Sequence, residues 1–149
     1  MNGSLNSMNY LKPYGFINKV VAFFKTRHTA DIETQYGVYS VRVFDFHIDF
    51  TEENRAYFRY EGIPYKTFSV YSHLNYLNKQ KNAFVRIILE DETCTPEKEI
   101  RFQEYCSTLE NIYKDIVFFG GYREKDLKQI YKFKNPHISQ KIYWYDNFK

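Results

Sequence analysis

Asp45 and His47 stand two residues apart in the run Val41–Ile48, VRVFDFHI. A carboxylate beside an imidazole can take up and return a proton near neutral pH, and either group can help to hold a cation. The run is rich in β-branched and aromatic residues and reads as a strand, in which successive side chains alternate in direction. Val41, Val43, Asp45 and His47 therefore share one face, and Arg42, Phe44, Phe46 and Ile48 take the other. The polar stretch Thr51–Asn54 then leads to a second extended segment, Ala56–Glu61, at a spacing that suits a hairpin and is too short for a parallel crossover. A turn centred on Glu53 puts Asp45 opposite Glu61 and His47 opposite Arg59. A third segment, Phe84–Glu90, is a nearly continuous apolar run of the kind found in covered parallel strands, and it adds Arg86 and Glu90 to the same side. Three carboxylates, two arginines and one histidine thus converge. Inside a low-dielectric fold such groups must pair, change protonation state or bind a cation. Two outcomes fit: a proton-transfer or ion-binding site, or an internal salt-bridge network along a sheet face.

The elements that would position these groups can be read from periodicity. Leu11–Lys25 carries Phe16, Val20, Phe23 and Phe24 at helical spacing behind Pro13, and Asp31–Tyr39 adds a turn or two ending at Gly37. Lys66–Leu77 reads as an amphipathic helix, and Pro96 opens another that runs to about Tyr113, with Glu97 and Glu99 at its positive end. Ile116–Phe119 is a strand closed by Gly120-Gly121, Glu124–Tyr131 a short helix, and the tail from Asn135 extended. Residues 1–9, small and polar, read as a flexible N-terminus ahead of a single domain over 10–149. Alternating helices and strands specify α/β layering. A full (β/α)8 barrel needs about 250 residues. The expected fold is therefore a partial or shortened TIM-barrel-like domain with a β-hairpin at the site end, or else an open sheet.

Composition narrows the partners. The net charge of +3 is spread among interspersed acids and bases, with no basic arm or stripe, which argues against a dedicated nucleic-acid binder. The longest apolar run, Val20–Phe24, is too short to span a bilayer, and no secretory leader pattern opens the chain. The cytoplasm is the expected location. Cys94 and Cys106 form no CxxC pair and imply no disulfide framework.

The order VRVFDFHIDF, TEENRAYFRYEG, IPYKTFSVYSHLNYL and then FVRIILE resembles the phosphatidylinositol-specific phospholipase C-like phosphodiesterase superfamily over about Gln35 to Glu92. In that pattern a hydrophobic strand ends in Asp-x-Arg, a hairpin returns to His-Gly, and a helix leads to an apolar strand ending near an acid. Asp45 matches the Asp and Gly62 the Gly. The resemblance implies cleavage of a phosphodiester by acid–base chemistry, with two histidines flanking the phosphorus and an arginine and aspartate assisting. His47 stands at the Arg position and Glu61 at the second His position, and His28 is the nearest upstream histidine. Asp45, His47 and Glu61 are then the catalytic candidates, since a tuned His or Glu can each transfer a proton. Arg59, Arg86 and Arg123 are the candidates for holding phosphate.

A second branch, the glycerophosphodiester phosphodiesterase-like enzymes, is similar in placing carboxylates at strand ends around a divalent cation. Asp45, Glu61 and Glu90 form the corresponding set, whose hardness suits Mg²⁺ or Ca²⁺. Gly120-Gly121 before Arg123 reads either as a phosphate-cradling turn or as a simple strand exit. Tyr143-Trp144-Tyr145 reads as a packing strip. The expected ligand is a small phosphodiester or a lipid headgroup. The competing expectation is a non-catalytic module that binds a ligand or buries an open sheet edge against a second copy of itself, giving a homodimer.

Overall fold

The computed structural model describes residues 1–5, 7–8, 10–11, 28, 30–65, 70–91, 95–146 and 148. Along these the chain forms β1 (Asn2–Ser4), α1 (Ile32–Gly37), β2 (Val41–Phe50), β3 (Ala56–Tyr60), β4 (Ile63–Pro64), α2 (Val70–Gln80), β5 (Ala83–Leu89), α3 (Pro96–Ile112), β6 (Ile116–Arg123) and β7 (Tyr143–Tyr145). The predicted helix over Leu11–Lys25 lies almost entirely outside the described residues, as does the first turn of the one predicted from Lys66. Helix starts follow local chemistry: the Asp31 carboxylate accepts from Thr34 N–H at 2.8 Å, and Thr95 Oγ1 accepts from Lys98 N–H at 3.2 Å just ahead of Pro96.

β2 is the hub of the sheet. Val43 and Phe44 pair with β1 on one edge and β5 on the other, while Ile48 pairs with β3 and β5, so β1 and β3 follow one another along the same edge. β7 pairs in parallel with β1, and β6 with β5. The result is a parallel series β7-β1-β2-β5-β6, prolonged beside the end of β2 by the antiparallel hairpin β3-β4. The Glu61-Gly62 turn of that hairpin has φ of 49° and 78°, the left-handed pair of a two-residue primed turn.

The helix side of the sheet is apolar: Phe44, Phe46, Ile48 and Phe50 of β2 and Val85, Ile87 and Leu89 of β5 join Leu74, Leu77, Phe102 and Leu109 in one core. The opposite face carries Val43, Asp45, His47 and Asp49, with Arg86 and Ile88 beside them, by strand alternation. β2 is buried on both faces, as a central parallel strand must be.

Two expectations are corrected. The sheet is mixed and open, because among the described residues β6 pairs only with β5 and β7 only with β1, so the fold is not a partial TIM barrel. The reason lies after β6. Glu124–Tyr131, expected to be a helix, is turn structure tied back on β6 by Ile130 and Tyr131 N–H groups donating to Gly121 O, both at 2.8 Å. Without a crossover helix there, no parallel strand can follow beside β6. The second correction concerns residues 1–9: Asn2–Ser4 is a strand between β2 and β7.

Candidate active site

The candidate side chains gather on the polar face of the sheet as an alternating row of charges. Arg86 Nε donates to Asp45 Oδ1 at 2.8 Å, His47 Nε2 donates to Asp45 Oδ2 at 2.8 Å, and His47 Nδ1 donates to Glu90 Oε1 at 2.9 Å. Asp45 and His47 are 1% and 6% exposed. An imidazole with a carboxylate on each nitrogen is held in its doubly protonated, charged form. Burial alone would discharge the ring, but the charges and hydrogen bonds of Asp45 and Glu90 outweigh it and push the His47 pKa up to about 9. Burial likewise works against the Asp45 carboxylate, yet His47 and Arg86 hold it well below the usual carboxylate range. The four charges Arg86, Asp45, His47 and Glu90 cancel in pairs, which is what makes their burial affordable.

A second network runs beside the first. Asp49, next in the alternation after His47, accepts from Arg59 Nη1 at 2.8 Å and from Lys98 Nζ at 3.0 Å, and Lys98 also reaches Asp91 Oδ1 at 3.3 Å. Together these rows lead to a pocket of about 290 Å³ lined by Arg59, Gly62, Glu90, Asp91, Glu124 and Lys125. Glu90 follows the last residue of β5 and Glu124 the last of β6, so the pocket opens at the C-terminal ends of parallel strands, where α/β folds place their sites. Tyr60 packs edge-on against His47 at 5.0 Å and helps to shut the ring from water.

No known family, curated protein or solved structure matches this chain. The site must therefore be judged on its own geometry.

That geometry brings together Asp45, His47, Arg86 and Glu90 and leaves other predicted members elsewhere. Glu61 lies in the exposed tip of the β3-β4 turn, away from the row. The predicted hairpin register is the one observed, since Ile48 faces Phe58 and Phe50 faces Ala56 about Glu53. The ladder stops before reaching Asp45, because Ser7 already occupies that edge: its N–H donates to Asp45 O at 3.0 Å and its Oγ accepts from Asp45 N–H at 2.8 Å. β3 then folds back on β4 instead, and Glu61 is lost to the catalytic and cation-binding sets. Among the described residues no group of three or more His, Cys, Asp or Glu could hold a metal ion, so Asp45, Glu61 and Glu90 do not assemble the expected Mg²⁺ or Ca²⁺ set. Of the phosphate candidates, Arg59 is bound to Asp49, and Arg123 to Asp126 with Glu99 near it.

His28, the upstream histidine, is fully buried but far from this row in role. Its Nδ1 accepts from Phe148 N–H at 2.8 Å and its Nε2 donates to Leu5 O at 2.8 Å, with Ser4 Oγ at 3.0 Å. Ser4 Oγ donates to Gln35 Oε1 at 2.6 Å, so this buried Ser–His contact has no free nucleophile. Asp49, Lys98 and Asp91 went unpredicted, although Asp49 simply extends the Asp45-x-His47 alternation by one step. Among the described residues no helix is long and apolar enough to cross a membrane.

Proposed function

We propose that this chain cleaves phosphodiesters by acid–base chemistry from the pocket at the C-terminal ends of β5 and β6, with Glu90 as the proton acceptor. The observation that carries this reading is the state of the row's outer end. Glu90 is the member that lines the pocket, and its bond from His47 engages Oε1. His47 itself has no lone pair to offer, because both ring nitrogens donate. It acts as a positioning residue: its proton on Glu90 Oε1 fixes the carboxylate, while Asp45 and Arg86 fix the ring.

In the reaction Glu90 takes the proton of an attacking hydroxyl, the freed oxygen bonds to phosphorus, and the bond from phosphorus to the leaving oxygen breaks. The departing oxygen then recovers that proton from Glu90. Lys125 and Arg59, the latter also held by Asp49, line the pocket and place positive charge near the phosphoryl oxygens. The likeness of Gln35–Glu92 to phospholipase C-like phosphodiesterases supports the substrate class. The cost of burying four charges supports a role beyond packing, since such clusters gather at sites.

The alternative is recognition of the same phosphodiesters without turnover. Phosphorus-31 NMR on a panel of glycerophosphodiesters and inositol phosphodiesters separates the two. Turnover that Glu90→Gln abolishes while the fold survives is the expected result. Chemical-shift perturbation without product would leave recognition as the function, and neither signal would overturn both readings.

A further inference from the structure

We propose that the pocket between β6 and the strap Gln129–Pro136 is a separate binding site for a phosphate monoester carried on a planar, apolar group. The proposal does not rest on the acid–base reading above. Among the described residues Arg86 gives only Nε to Asp45, and its guanidinium carbon lies 4.3 Å from the Trp144 ring. Its two terminal nitrogens remain for a ligand, and a guanidinium presents them as a fork that matches a phosphate edge. The residue lines a pocket of about 400 Å³ together with Lys132, Phe119, Tyr122, Gln129 and Phe133. Lys132 is exposed and makes no ion pair among the described residues. No carboxylate lines this pocket, in contrast to the one at Glu90.

An exposed lysine and an arginine whose one carboxylate partner, Asp45, lies outside the lining, both beside aromatic walls, select an anion attached to an apolar ring. Glu90 is four residues along β5 from Arg86, roughly 13 Å at about 3.3 Å per residue, so one phosphate cannot serve both pockets. The pocket is also built into the backbone. Gly120 has φ of +89°, and a Cβ there would lie 2.7 Å from Ile87 O and 3.0 Å from Arg86 Cγ. Gly3 plays the matching part on the other side: a Cβ would come within 2.8 Å of the Trp144 ring. Three spacings of about 4.8 Å separate β7 from β5, so the sheet must curl over a bare Gly3 for Trp144 to reach Arg86.

Trp144 is the chain's only tryptophan and so reports on Arg86 directly. Fluorescence titration with phenyl phosphate should give a saturable change, tighter than with inorganic phosphate at matched ionic strength. Lys132→Glu, a surface change that leaves the fold intact, should weaken binding about tenfold or more. Arg86→Gln should abolish it, with circular dichroism confirming that the sheet persists. No saturable change, or equal affinity in Lys132→Glu, would overturn the site; equal affinity for phenyl and inorganic phosphate would overturn the apolar-ring specificity.

Discussion

Two buried histidines in this molecule have been given opposite jobs by their partners. His47 faces a carboxylate from each nitrogen and is charged; His28 accepts a backbone N–H at Nδ1 and donates to a backbone carbonyl at Nε2, and is neutral. Burial is nearly the same for both rings. Burial pulls the His28 pKa below its ordinary 6.5, with only a backbone bond and Asp146 opposing it. At His47 the same penalty is overcome by two carboxylates. One ring ties β1 to the segment near the C-terminus, and the other belongs to an ionic row that ends in a pocket. Residue type and depth do not separate a neutral buried histidine from a charged one; the charge of its hydrogen-bond partners does.

The strongest way to break this comparison is to remove the charge that His47 and Arg86 share. Asp45→Asn keeps the shape and takes away the negative charge, leaving two buried cations facing each other. A loss of about 3–5 kcal/mol is expected in urea or thermal unfolding, the range for breaking a buried pair from one side. A loss under about 1 kcal/mol would show that water or rearrangement satisfies the row.

The next effect is the opposite pH response of the two rings. His47 binds its proton more tightly folded than unfolded, so its contribution is fully present below pH 6.5 and declines until it is gone above about pH 9. The shift corresponds to roughly 3 kcal/mol. His28 binds its proton more tightly unfolded, so stability declines as pH falls through 6.5, and His73, half-buried against Phe58, adds to that limb in the same direction. Unfolding free energy measured from pH 5 to 10 should therefore peak near pH 6.5. Substituting His47 should flatten the alkaline limb alone.

His28→Ala should cost about 2 kcal/mol, because the Phe148 amide and the Leu5 carbonyl lose their partner inside the fold. It should flatten part of the acid limb and leave phosphodiester turnover untouched. Lost turnover with full stability would make His28 functional and erase the contrast.

The sequence contained one ring's neighbours and not the other's. Alternation placed Asp45, His47, Arg86 and Glu90 on one face, because a strand's two-residue period is a local property. The register about Glu53 was equally local. What was not local was the use of an edge: Ser7 claims the Asp45 backbone, so the hairpin parts from β2 and Glu61 turns outward. His28 was legible only as an upstream histidine, since its partners at Leu5 and Phe148 are 23 and 120 residues away. The open sheet was hidden for the same reason. Glu124–Tyr131 has helical composition, yet its backbone is drawn onto Gly121 at a bulge where a Cβ would collide with Tyr131 O. Trp144 looked like packing because its partner, Arg86, lies three strands away.

The smallest stability effect is the most informative about function. Glu90→Gln removes one of the two carboxylates around His47 at the pocket end of the row, where the side chain is 13% accessible. The cost should be about 1 kcal/mol, since Asp45 still holds the ring and the amide can still accept one hydrogen bond. With the smaller part of its compensation gone, His47 should lose its proton at lower pH, and the alkaline limb should move with it. NMR titration of the His47 ring reads that movement directly. A Glu90→Gln protein that keeps its fold, shifts the His47 titration downward and loses turnover places Glu90 at the proton-transfer step with His47 behind it. If the titration shifts and turnover survives, the row from Arg86 to Glu90 holds the sheet together and the proton acceptor lies elsewhere in the pocket.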